Sequence, residues 1–186
     1  DGADSLSVYY RGIAPSLAES SDGEILMNGL GADIGSTADA FRFAFKNLSG
    51  NGSIVARVNS LYGSNSGAKA GVMIRQDTTA GAANAMMAKT FLSGNGAAFQ
   101  WRPTAAGTSL NATAAAAVGS PYWIKLERTG NSFSAYLSPD GVAWTQLGTT
   151  QTVTMTDPVL IGLALTSHDA SIQTHASFSD IATTGN

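Results

Sequence analysis

The chain contains no cysteine. That absence excludes disulfides, thiol nucleophiles and zinc–thiolate centres together. Charge is also scarce. Asp, Glu, Lys and Arg make up 12% of the 186 residues, about half the ~25% usual in globular proteins. The net charge is −3 and the 10 basic residues form no run, so no nucleic acid is expected as a partner. No apolar run approaches the ~18 residues of a membrane span, so no membrane insertion is expected. Glutamate is rarest, confined to Glu19, Glu24 and Glu127. Glycosidases work with a pair of carboxylates, which the β-sandwich glycanases carry on one strand as Glu-x-Asp-x-x-Glu. No such array is present. No Gly-x-Ser-x-Gly elbow supports a serine triad either. Helix signals are nearly missing; the Ala-rich stretch 112–117 is the single candidate, with Gly119 and Pro121 close behind it.

What is present is apolar alternation. Apolar residues reach 44%, which excludes wholesale disorder and provides for a core. Phe41, Phe43 and Phe45 alternate with Arg42, Ala44 and Lys46. The same period of two recurs at Ile54–Val58, Val72–Ile74, Ile124–Leu126 and Val159–Leu165. A period of two places one set of side chains in a core and the other on a sheet face. Asn51-Gly52, Asn95-Gly96, Thr129-Gly130-Asn131-Ser132 and Ser138-Pro139-Asp140-Gly141 punctuate these runs as turns. Residues 122–148 therefore read as a three-stranded meander. About eleven short strands with turns between them predict an all-β, two-sheet antiparallel β-sandwich. Residues 24–186 form that domain, preceded by an N-terminal strand, loop or linker over 1–23 that packs on it.

Candidate chemistry sits on the strand faces and in the loops. Arg75 shares a face with Gly71 and Met73, and Arg102 shares one with Ala98 and Gln100, while Phe99 and Trp101 point the other way. Guanidinium forks fixed on a sheet suit carboxylates, sulfates or sugar hydroxyls. His168 continues the small face of Gly162, Ala164 and Thr166. Trp123 is out of phase with Ile124 and Leu126 and is the expected exposed tryptophan; Trp144, after a tight turn, is the expected core one. Trp123 or Tyr62 would supply a stacking surface. Asp33 and Asp39 bracket a Gly-Ser-Thr loop and Asp180 lies in the last strand. Carboxylates in loops suit a hard cation, so calcium is the cofactor to test.

Several ordered segments carry a family likeness. They include Gly31-Ala32-Asp33-Ile34, Thr37-Ala38-Asp39-Ala40-Phe41-Arg42-Phe43, Ala68-Lys69-Ala70-Gly71-Val72-Met73-Ile74-Arg75, Tyr122-Trp123-Ile124-Lys125-Leu126-Glu127-Arg128, Ser138-Pro139-Asp140-Gly141-Val142-Ala143-Trp144 and Gly162-Leu163-Ala164-Leu165-Thr166-Ser167-His168. From about residue 24 to 182 the series resembles the bacterial DUF1349-type domains of the concanavalin A-like lectin/glucanase (laminin-G-like) superfamily. The resemblance implies a jelly roll carried as an accessory module of a larger secreted bacterial protein. It implies carbohydrate binding and transfers no catalytic residue. The ending Phe178-Ser179-Asp180-Ile181 displaces by one the aspartate of the family's Phe-Asp-Asn-Val type ending.

These observations lead to a non-catalytic carbohydrate-binding module, secreted or at the cell surface. It would hold a polysaccharide or glycan on its concave sheet, with neighbouring domains of a parent protein as further partners. The Gly-, Ser-, Thr-, Ala- and Asn-rich composition with four lysines suits that setting, as does a chain that opens on Asp1-Gly2. A structural or adhesion module without a sugar site fits the surface equally well. A polysaccharide lyase is the third reading, with Arg75, Gln100, His168 and Tyr136 as its parts.

Overall fold

The computed structural model describes residues 16–63, 65–91, 96–113 and 118–186. Among these there is no helix; fourteen strands form two antiparallel sheets. The strands are β1 (Leu17–Glu19), β2 (Ile25–Gly31), β3 (Arg42–Leu48), β4 (Gly52–Tyr62), β5 (Lys69–Arg75), β6 (Asn84–Thr90), β7 (Ala97–Arg102) and β8 (Leu110–Thr113), then β9 (Tyr122–Thr129), β10 (Ser132–Ser138), β11 (Thr145–Gln146), β12 (Gln151–Thr152), β13 (Val159–Thr166) and β14 (Asp169–Thr184). The eight-stranded sheet runs β1-β2-β14-β4-β9-β10-β11, with β12 also on β10. The six-stranded sheet runs β3-β13-β5-β6-β7-β8.

The alternating side chains meet between the sheets as the period of two demands. Val72, Ile74, Phe99, Trp101, Leu163 and Leu165 pack against Met27, Ile54, Val58, Leu126, Phe133 and Phe178. A fully buried Phe such as Phe99 or Phe178 contributes about 1.5–3 kcal/mol by leaving water. The predicted meander is present as β9-β10-β11, with the Gly130 turn in register between Thr129 and Ser132. Its third arm is much shorter than expected, because only Thr145 and Gln146 pair with β10.

Two expectations change, for the Ala-rich stretch and for Trp144. Residues 110–113 of the Ala-rich region are strand β8 on the sheet edge, and 114–117 lie outside the described residues. Strand β1 pairs with β2, so Leu17–Glu19 join the edge of the eight-stranded sheet. Trp144 is not in the core. It sits half-buried on the outer face of the eight-stranded sheet, and Trp101 is the core tryptophan, 5.1 Å from Phe99.

The central strands of the six-stranded sheet are buried on both faces. Every residue of β6 and β7, and all of β5 beyond Lys69, is buried. The outer cover is residues 31–41, a strap between β2 and β3. Its ends are cinched together: Asp33 and Ala40 form a β-bridge, and the Ala40 amide donates to the Asp33 carbonyl at 2.7 Å. Gly31 permits this closure, since a Cβ there would stand 2.0 Å from the Ala40 carbonyl oxygen. Ile34, wholly buried, plugs a second apolar cluster with Phe43, Met73, Met86, Ala88 and Ala164.

Candidate functional site

Beneath the strap the central residue is Asp39. Arg102 on β7 clasps it with both branches, Nη2 to Oδ1 at 2.5 Å and Nη1 to Oδ2 at 2.7 Å. Arg75 on β5 adds Nη1 to Oδ2 at 3.3 Å, and Asn84 on β6 donates its amide at 3.1 Å. The Gly35 amide completes the set at 3.1 Å. The remaining guanidinium donors end on carbonyls, of Asp77 and Thr79 for Arg75, and of Ala82, Gly35 and Gly107 for Arg102. Burial pulls the Arg75 guanidinium below its ordinary value, and the Asp39 charge opposes that pull.

The two faces carrying Arg75 and Arg102 therefore do meet, one strand apart. They meet over a carboxylate of this chain. Arg75 is 1% exposed and Arg102 0%, so neither fork reaches a ligand in this arrangement. Asp39, taken as a calcium ligand, is saturated by cations and amides. Asp33 sits apart, half-buried, with Lys69 Nζ at 2.6 Å and His168 Nε2 at 3.5 Å from its carboxylate oxygens. Asp180 is exposed at a bulge in β14, on the other sheet. The three aspartates do not converge, and among the described residues no group of three His, Asp or Glu side chains could hold a metal ion.

His168 does not extend strand β13. It lies in the link to β14 with φ of 55°, and its exposed ring packs over Gly67. Gln100 is on the outer face as expected, and its amide donates to the Ile34 carbonyl at 2.6 Å. Lys69 donates to the same carbonyl at 2.8 Å. Tyr62 and Trp123 are elsewhere. Tyr62 is 67% exposed at the end of β4, opposite His175. Trp123 lies on the outer face of the eight-stranded sheet, as does Tyr136, so the lyase set is divided between two sheets.

One opening remains beside the strap. A polar cleft of about 220 Å³ lies between it and strands β7 and β8, lined among others by Asp33, Ser36, Lys69, Gln100, Ser109 and Asn111. The Asn111 side chain is exposed there. The Ser109 hydroxyl is buried with no hydrogen-bond partner among the described residues. A second, apolar hollow of about 410 Å³ lies between the sheet edges, near Leu17, Phe45, Ile161 and Ile181. Sequence reasoning missed Lys69, Ser109 and Asn111. Lys69 was within reach, since it follows the parity of Gly71, Met73 and Arg75.

No family model matches the chain, and no curated protein sequence matches it. Solved structures do. A protein of unknown function from Saccharomyces cerevisiae superposes with a TM-score of 0.72 at 14% identity, over 92% of this chain and 96% of that one. The carbohydrate-binding module CBM66 from Bacillus subtilis superposes with a TM-score of 0.58 at 14% identity, over 91% of each chain. This is a concanavalin A-like jelly roll. The xylan β-1,4-xylosidase from Bacillus halodurans contains the same sandwich, with a TM-score of 0.62 at 16% identity, over 84% of this chain and 32% of that one. The chain thus spans about a third of the length of that enzyme. Identities this low establish the fold alone.

Proposed function

We propose that this chain is a non-catalytic carbohydrate-binding module of the DUF1349 type that takes a glycan segment at the polar cleft beside the strap. The observation that carries this reading is the cleft's chemistry. A carboxylate, an ammonium, two side-chain amides and a hydroxyl with no partner among the described residues line one small opening. Sugar hydroxyls both donate and accept, and such a mixed set answers them. Likeness to a carbohydrate-binding module over nine-tenths of both chains supports the same class. The polymer would be neutral, because Lys69 is engaged by Asp33 and the two nearby guanidiniums by Asp39. Secretion or cell-surface display as part of a longer protein belongs to this proposal.

A structural module without a sugar site is favoured by one observation, the sealing of most of the outer sheet face by Ile34 and its neighbours. Affinity electrophoresis separates the two. The protein is run in gels containing xylan, soluble β-1,3-glucan or alginate. Retardation by a neutral polymer, reduced in Asn111→Ala and Lys69→Ala, is expected. Migration unchanged in all three gels would sink the cleft reading and leave the structural one.

A further inference from the structure

The eight-stranded sheet carries a second constellation, built in a different way. On its outer face Lys125 of β9 places its ammonium 4.5 Å from the Tyr136 ring centroid and 4.9 Å from that of Trp144. The same ammonium pairs with Glu127 at 2.9 Å. Trp123 stands two residues before Lys125 on the same face, opposite Arg57 of β4. All six side chains are partly exposed.

The arrangement is pre-ordered by its surroundings. Gly141, with φ of 76°, closes the β10–β11 turn against Trp123, and a Cβ there would stand 2.9 Å from the indole. The turn is pinned by Asp140, whose carboxylate accepts from the Val142 and Ala143 amides and the Ser138 hydroxyl. Those same hydrogen bonds hold the Asp140 carboxyl below its ordinary value. Lys125 is fixed by two rings and a carboxylate, so little side-chain entropy remains to be lost on binding.

From these residues we infer that the outer face of the eight-stranded sheet is a second glycan-binding surface, for an extended, uncharged polysaccharide chain. Trp123 and Trp144 offer indole surfaces to sugar C–H groups. Lys125 and Glu127 place a donor and an acceptor between them for ring hydroxyls. The positions around them are short and mostly polar, namely Ser53, Val55 and Ser134. A protein-binding patch would be expected to have a more apolar centre. The Lys125 charge is already met by Glu127, which favours hydroxyls over carboxylates at the centre of the face. This surface lies on the opposite sheet from the cleft and does not depend on it.

The three tryptophans make the test direct. Indole N–H signals of the 15N-labelled protein are assigned with Trp→Phe variants, then followed during titration with hexasaccharides of β-1,4-xylan and β-1,3-glucan at millimolar concentration. One neutral oligosaccharide is expected to move the Trp123 and Trp144 signals and leave the core Trp101 signal in place. That movement should persist in Asn111→Ala, where cleft binding is removed. Trp123→Ala should weaken binding about tenfold, and Lys125→Gln, which leaves the turn untouched, should weaken it too. An unmoved Trp101 signal in each variant reports an intact core. The inference is overturned if neither oligosaccharide moves the two outer indoles, or if their movement vanishes in Asn111→Ala. Loss of gel retardation by Asn111→Ala, with unmoved indoles, would leave the cleft standing and remove this surface alone.

Discussion

The two sheets treat their outer faces in opposite ways. The six-stranded sheet covers its outer face with the chain's own strap and buries a carboxylate and two guanidiniums beneath it. The eight-stranded sheet leaves its outer face to solvent and keeps its charges and rings at the surface. The same residue types therefore have different weights. Charges removed from water must be fully answered by partners. Charges at the surface contribute little to stability and stay available to a ligand. The sealed face is mainly a matter of folding, and the open face and the cleft margin are where the proposed glycan contacts lie.

Breaking the sealed face should produce the largest effect. Asp39→Asn leaves two buried guanidiniums without a counter-charge, and a loss of about 3–5 kcal/mol is expected. At this chain length that is a fall of roughly 10 °C in thermal midpoint. A shift of a degree or two would mean that the strap is held by packing alone. Ile34→Ala removes the plug and should cost about 2–4 kcal/mol in denaturant unfolding. Equal losses for Ile34→Ala and for Val55→Ala on the open face would erase the contrast between the sheets.

Lys125→Met removes the cation from both rings on the open face, with an expected loss of about 0.5–1 kcal/mol. Acid sharpens the comparison at the smallest scale. Asp157 is held below its ordinary value of 3.8 by hydrogen bonds, first from Arg128 and then from the Gly50 amide. Asp169 is lowered by the Ser171 hydroxyl and amide. A depressed carboxyl adds stability that is complete above its unfolded value and is lost as pH falls through the folded one. Stability should therefore decline below about pH 4, and Asp157→Asn should flatten part of that decline in a pH series of melts. Both carboxylates are exposed, so the change is small. An identical pH series for the variant would exclude this role.

Strand parity was the legible part of the chain. It set Phe99 and Trp101 on one face of their strand and Gln100 and Arg102 on the other, and placed Arg75 beside Gly71 and Met73, because alternation is a local property. What covers the two arginines is not local. Asp39 reaches Arg75 and Arg102 from 36 and 63 residues away, and no spacing rule encodes such a partner. Strand β6 left no alternation to read, since Met86 and Met87 are both apolar and both faces are buried. Trp144 follows a turn and precedes a two-residue strand, too short for parity to orient it. His168 lies just past the last residue of β13, where positive φ turns the chain away from the face it was expected to continue.

The bridge between Asp33 and Ala40 closes the strap at its base, Ile34 and Asp39 anchor it from within, and its tip at residues 36–38 is exposed. Lengthening such a loop costs conformational entropy only slowly. Extra residues inserted at that tip, which leave Ile34 and Asp39 in place, should therefore be accommodated without disturbing either sheet's register. A shortened version would uncover Met73, Met86 and Phe43, turning a sealed surface into an apolar trough with the same two arginines at one end.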